Sequence, residues 1–375
     1  MKHSCLLHER RSQGAVTMTL GEWEVIARVA TLEDDYAAIR HGAGAIDLSH
    51  RTMLRVTGND RVKFLQGIIS NDASVLAPGR GLYATILTSK GKMQTDLTVF
   101  ALKDAAIWVD AEPEVAEKLL RLLIRYTIGT DAKIESLSGR YGLLGVYGPN
   151  AATTIESVLP GVRLPTAALG VVECMWRDHP AVVAESGYPG TPGYRILLPV
   201  DALPAAWSAV VGSDGGSPIK AVGLDALEAV RIEAGVPRFG SDMSEENFPP
   251  EARIEDRALS YTKGCYMGQE TIARIKTYGH VNRLLVGLLP DTDRPIAHGT
   301  ALYHSDVTSV LREHKEAGYV TSSIVSPALK RVIALGYVHR TLATPGTVVS
   351  VGQDTPIKAT VTALPFVPQP SPSTM

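Results

Sequence analysis

Apolar and polar positions alternate along this chain in two rhythms, and the rhythm changes at glycines and prolines. Thr31 and Asp34 have the spacing of a capping box. Tyr36 and Ile39 then share one face of a helix that Gly42 and Gly44 end. Residues 45–56 read as a strand closed by a turn at Gly58-Asn59-Asp60. Asp60 can cap the next helix, where Val62, Leu65 and Ile69 recur at helical spacing before Asn71-Asp72. Residues 82–100 read as a hairpin turning around Ser89-Lys90-Gly91. Pro113 opens a helix reaching Tyr126, with Val115, Leu119, Leu122 and Leu123 as its buried stripe. Residues 141–147 predict a strand, with a helix following through Val158. Loops fall at 160–170 and 187–193, and 224–235 is a helix. Residues 237–262 read as an irregular connection, 271–280 as a link, and 284–289, 317–325 and 332–338 as strands.

Length and composition narrow this picture. At 375 residues the chain exceeds one ordinary core, so two or three domains are expected. With 45% hydrophobic and 20% charged residues it has the composition of a soluble globular protein. A net charge of −2 lacks the basic excess that nucleic acid or an anionic membrane surface would require. No apolar run is long enough to span a bilayer. The opening MKHSCLLHERRSQGAVT lacks the apolar centre of a secretory signal. It reads as a flexible tail, or as sequence upstream of a start at Met18. Cys5, Cys174 and Cys265 are too few and too scattered for a disulfide framework or a CxxC pair, which fits a reducing compartment. Three cysteines in one chain also cannot hold a cubane cluster by four thiolates. Walker A, GxGxxG and HExxH motifs are missing. His304 and His314 do not resemble a metal pair, so no bound metal is expected.

Candidate chemistry concentrates in Lys263-Gly264-Cys265-Tyr266-Met267-Gly268-Gln269-Glu270. Gly264 and Gly268 suit a tight turn or a close ligand approach. Lys263, two residues before Cys265, could favour the reactive thiolate. Gln269 and Glu270 can accept hydrogen bonds from a donor-rich ligand edge. The plainer reading is a surface turn before a helix, with Cys265 a small buried hydrophobe. Asp96 lies within the second strand of the hairpin. There it is either a residue of the solvent face or a half-buried carboxylate that needs partners.

KGCYMGQE resembles the signature of the YgfZ-type folate-binding proteins linked to iron–sulfur cluster maintenance. These belong to the superfamily of the glycine-cleavage aminomethyltransferase, the T-protein or GcvT. The hairpin, LLGVYGPNA, LEAVRIEAG, and GYVTSS with ALGYV and LPFVP are similar to stretches of that superfamily in the same order, spanning roughly residues 22–368. The resemblance implies an α+β, multi-domain aminomethyltransferase-like folate-binding fold with a C-terminal β-barrel. A flexible tail would occupy 1–21 and two α+β subdomains, split near 140, would occupy 22–275. The barrel would occupy 283–368, before a disordered Pro/Ser tail over 369–375.

By the same resemblance, Asp96 contacts tetrahydrofolate in a central cavity between the sheet domains and the barrel. Tyr83 and Tyr188 lie beside the ligand, and Arg231 approaches it or serves as a solvated helix residue. Catalysis falls to Cys265, Lys263 and Asp96. In the SGYPGTPGYRI stretch, Arg195 stands where the transferases carry a pterin-binding glutamate, and a guanidinium donates where a carboxylate accepts. On the plain reading Arg195 is a strand-edge residue facing solvent. The implied function is a cytoplasmic, monomeric tetrahydrofolate-binding factor in iron–sulfur cluster assembly or repair. Its transient partners would be iron–sulfur proteins or assembly factors, with neither nucleic acid nor membrane. The alternatives are an aminomethyltransferase moving a one-carbon unit from a lipoyl arm to tetrahydrofolate, and a non-catalytic scaffold.

Overall fold

A computed structural model describes residues 1–212, 219–304, 316–353 and 355–368. His314 and the tail 369–375 lie outside the described residues. The fold is mixed α and β with a closed six-stranded barrel near the C-terminus. The chain divides into two compact units. One comprises Met1–Leu87, Thr95–Leu227 and Ala258–Met267; the other comprises Thr88–Gln94, Glu228–Arg257 and Gly268–Met375.

The first unit contains two large sheets. One has the strand order Val171–Trp176, His179–Glu185, Gly193–Pro199, Tyr141–Tyr147, Ala43–Asp47, Ile219–Ala221, with its last pair parallel and the others antiparallel. Leu144, Val146, Ile196 and Leu198 recur at period two on one face. They pack with Ile155 of the helix Ala151–Val158 and with Leu203 and Trp207 of the helix Leu203–Val211. The other sheet has the order Gly81–Leu87, Met93–Ala101, Ile107–Ala111, Thr52–Thr57, Lys133–Ser136. Phe100 and Trp108 stack there at 4.9 Å, and both are fully buried.

Many local expectations hold. Thr31 Oγ1 accepts from Asp34 N at 3.1 Å and caps the helix Leu32–His41. The hairpin forms as Gly81–Leu87 and Met93–Ala101, with Gly91 in the left-handed region of its turn. Residues 113–126 begin as a 3-10 turn, Pro113–Val115, before the α-helix Ala116–Tyr126. Others are corrected. The stretch 45–56 is two strands in different sheets, because Asp47 Oδ1 accepts Ser49 N at 3.0 Å and Arg51 N bonds Leu48 O, turning the chain between them. Asp60 makes no cap bond; its carboxylate accepts Asp131 N instead. The stretch 1–21, expected as a flexible tail, carries the helix Leu7–Ser12 and the strand Val16–Leu20, which pairs with Trp23–Arg28. Leu6 anchors it within the apolar core of the six-stranded sheet.

In the second unit the barrel order is Arg283–Pro290, Arg331–His339, Glu316–Ser326, Ala301–His304, Val348–Val351, Ile357–Thr362, closing on the first strand. Val286, Leu288, Leu302, Val320, Ala334 and Val338 contribute to its interior core. Ile232, near the end of the helix Leu224–Glu233, packs on Leu285, Ile333, Leu335 and Tyr337. The expected link at 271–280 is instead the helix Gln269–Tyr278, with Ile272 its buried residue. Among the described residues no helix is long and apolar enough to cross a membrane.

Candidate functional site

Asp96 sits mid-strand in Met93–Ala101, where the sheet alternation leaves it half-buried between Thr95 and Leu97. Tyr83, on the adjoining strand, donates its hydroxyl to Asp96 Oδ2 at 2.7 Å. Burial raises the carboxyl, the Glu112 carboxylate raises it further, and the Tyr83 hydroxyl and Arg51 oppose them. The outcome is a pKa of about 6. A carboxylate so poised can accept a hydrogen bond or exchange a proton near neutrality.

A charge network surrounds this pair. Arg51 Nε pairs with Asp110 at 2.7 Å and its Nη1 with Glu112 at 2.5 Å. Arg195 pairs with the other oxygen of Asp110, and its Nε donates to the Tyr147 hydroxyl at 3.3 Å. Its strand lies inside the six-stranded sheet, so Arg195 is neither at an edge nor directed at solvent. Burial and neighbouring Arg51 work against the Arg195 cation, but Asp110, Tyr147 and Tyr188 together hold it above its ordinary value. Tyr188 stacks on Tyr147 at 6.1 Å from a tight turn in which Tyr188 and Thr191 exchange backbone bonds. Sequence reading missed Arg51, Asp110 and Glu112. One signal was present: Asp110 interrupts the apolar run Ile107-Trp108-Val109, the same anomaly that singled out Asp96.

The octapeptide crosses the division between the units after Met267. Gly268 adopts φ +82°, a left-handed turn at the start of the helix Gln269–Tyr278, which explains glycine there. Cys265 is exposed rather than a buried hydrophobe, and Gly264 is open to solvent beside it. Lys263 is buried. Its ammonium donates to the carbonyls of Gln66, Ile69 and Asn71 at 2.7, 2.8 and 2.8 Å and lies 5.1 Å from the Tyr266 ring. Three acceptors match the three protons of an ammonium. Lys263 therefore serves as an anchor. Burial lowers its pKa to about 8, with Asp72 opposing the fall. Gln269 starts the helix, and Glu270 forms an exposed pair with Arg274.

Arg231, in the second unit, is 2% exposed. Its Nε and Nη2 reach Glu228 at 3.1 and 2.8 Å, Nη2 also reaches Ser322 Oγ at 2.8 Å, and Nη1 serves Asp242 and Val236 O. Those contacts occupy all five guanidinium donors. The expected approach to a ligand is thus replaced by a structural role. No group of three or more His, Cys, Asp or Glu among the described residues is arranged to hold a metal.

Comparison with known proteins adds the following. The GCVT N-terminal domain model matches residues 6–261, and the glycine cleavage T-protein C-terminal barrel domain model matches 283–368. An aminomethyltransferase of Frankia alni is 30% identical, with 98% of each chain covered. One from Bacillus pumilus is 27% identical, again over 98% of each. The crystal structure of glycine cleavage system aminomethyltransferase T from Bartonella henselae is similar at 25% identity and a TM-score of 0.88, covering 98% of both chains.

Proposed function

Since the chain belongs to the glycine cleavage T-protein family, we propose that it is a tetrahydrofolate-binding transferase of the aminomethyltransferase kind. Asp96 is the carboxylate that receives the reduced pterin. The observation supporting this is the half-buried Asp96 carboxylate, whose one side-chain donor among the described residues is Tyr83 on Oδ2. A pterin edge carries amino and ring N–H donors, so the spare acceptor fits it. Tyr83 fixes the carboxylate, and the Arg51–Glu112 pair sets its charge. Tyr188 contributes ring surface beside the ligand. Arg195 supplies no acceptor to the pterin, because its guanidinium donates to Asp110 and Tyr147. Calorimetric titration with tetrahydrofolate tests the reading. Asp96→Asn removes a charge-assisted bond of about 1.5–3 kcal/mol, so affinity should fall roughly 10- to 100-fold. Equal affinity would remove Asp96 from the site.

A second reading is favoured by one feature, the exposed thiol of Cys265 inside KGCYMGQE. On it the protein binds tetrahydrofolate while Cys265 acts in iron–sulfur cluster assembly or repair. The protein is then a cytoplasmic monomer, and the cluster belongs to a transient client. A deletion strain assayed for glycine cleavage and for iron–sulfur enzyme activities separates the two. Loss of glycine cleavage alone supports the transferase, and loss of cluster enzymes alone supports the maintenance role.

A further inference from the structure

The helix Arg61–Ile68 stops at Ile69, whose extended backbone makes the last helical bond, to Leu65 O. The Gln66 carbonyl lacks its i+4 donor, because the Ser70 amide donates to Thr85 O at 2.8 Å. Lys263 meets that carbonyl and two more just beyond the helix, those of Ile69 and Asn71. A cation is favourable at this end of a helix. The residues just after the helix are bonded to the hairpin as well. Asn71 Nδ2 donates to Tyr83 O at 2.8 Å, and the Thr85 amide and hydroxyl both donate to Ser70 Oγ at 2.9 Å. Ser70 Oγ in turn donates to Ala258 O at 2.6 Å. Ser260 N donates to Ser70 O at 3.0 Å, and Lys263 N to Ser260 Oγ at 3.2 Å.

We propose that Lys263 and Asn71 form a positioning bridge that ties the Cys265 loop to the Tyr83–Asp96 pair. Cys265 follows a buried three-point anchor by two residues and is itself exposed, so the anchor sets where the thiol stands. Through Asn71 the same anchor bears on Tyr83, which orients Asp96. The consequence for ligand binding rests on the folate reading of Asp96; the bridge itself does not. A lysine suits the post because three carbonyls converge on one atom, a geometry that a planar guanidinium does not reproduce. The charged and titratable groups around it are Asp72, from the turn after the helix, and Tyr266, with Tyr261 beside it, from its own segment. An ammonium titrating at about 8 also makes the bridge sensitive to alkaline pH.

Hydrogen exchange on the full chain, without folate, tests the bridge. Lys263→Met should speed exchange in peptides covering 258–267 roughly tenfold or more, and in 81–87 to a smaller degree, leaving the six-stranded sheet unchanged. Lys263→Arg should not restore protection. Asn71→Ala should loosen 81–87 while 258–267 stays protected, since the backbone carbonyl remains. Corrected for intrinsic rates, wild-type exchange in 258–267 should rise as pH passes about 8, and Lys263→Met should show no such step. Full protection of 258–267 in Lys263→Met, or uniform loosening of the unit, overturns the bridge. Asn71→Ala keeps the carbonyl that Lys263 meets, so a Lys263→Met protein that fails to fold leaves the test intact: unchanged exchange in 81–87 of Asn71→Ala also overturns the bridge. None of these results depends on whether folate binds Asp96, and equal folate affinity in Asp96→Asn would leave the bridge standing.

Discussion

Asp96 and Arg231 look alike in the sequence: each is a charged residue inside a regular element that resembles a folate-contacting stretch. Folding treats them differently. Arg231 spends five donors on Glu228, Asp242, Ser322 and Val236 O, and almost none of its surface stays accessible. Asp96 has one side-chain donor, Tyr83, and keeps part of its surface. The difference lies in hydrogen-bonding capacity left over after folding. A saturated charge supports structure; a half-buried charge with an unused acceptor is held at a cost that a ligand can offset.

Replacing Arg231 tests the saturated side of this contrast and carries the largest expected effect. Arg231→Met leaves Asp242 buried beside Thr321 without its cation. Breaking a buried pair from one side costs about 3–5 kcal/mol, which a urea titration reads directly. Tetrahydrofolate affinity of the protein that remains folded should not change. A variant that keeps its stability but loses folate would reverse the assignment of the two residues.

Asp96 tests the other side through pH. Its folded pKa of about 6 lies above the ordinary aspartate value, so between those values the folded state holds more protons than the unfolded. Stability therefore falls as pH rises through that window and levels off above about 6. At the usual conversion the loss is roughly 2–3 kcal/mol. Asp96→Asn should remove this component and match or exceed the wild type at neutral pH in denaturant titrations. An unchanged pH–stability curve would mean that Asp96 is not strained in the folded protein.

The contrast was only half legible in the sequence. The hairpin, with its two-residue alternation and glycine turn, placed Tyr83 and Asp96 on neighbouring strands, and local pattern sufficed. Three of the six barrel strands were legible for the same reason, and the short strands Ala301–His304, Val348–Val351 and Ile357–Thr362 were not. Arg231 was not, because its partner Ser322 lies 91 residues away and nothing local records that distance. The Arg51–Asp110–Arg195 network was hidden likewise, its members 59 and 85 residues apart. The break at residues 48–51 escaped because apolar runs flank it on both sides, and one Asp47-to-Ser49 bond decides it. The anchorage of Lys263 was hidden for a related reason. Closeness in sequence suggested Cys265, while the carbonyls that hold the ammonium lie nearly two hundred residues earlier.

Tyr83→Phe gives the smallest and most selective effect. It removes the hydroxyl that donates to Asp96 Oδ2 and keeps the ring. The bond works against the rise in the Asp96 pKa, so its loss should move that group further above 6. The fall in stability with rising pH should then extend to higher pH. One neutral donor is worth about 1 kcal/mol, so folate affinity near pH 7 should weaken only about fivefold. Raising the pH should recover part of that loss, because ionisation restores the acceptor while orientation stays impaired. Asp96→Asn has no proton to lose and should recover nothing. Affinity measured against pH in the two variants and the wild type thus separates the orienting hydroxyl from the charge it orients, and a Tyr83→Phe profile with the wild-type midpoint would show that Tyr83 has no hold on the titration of Asp96.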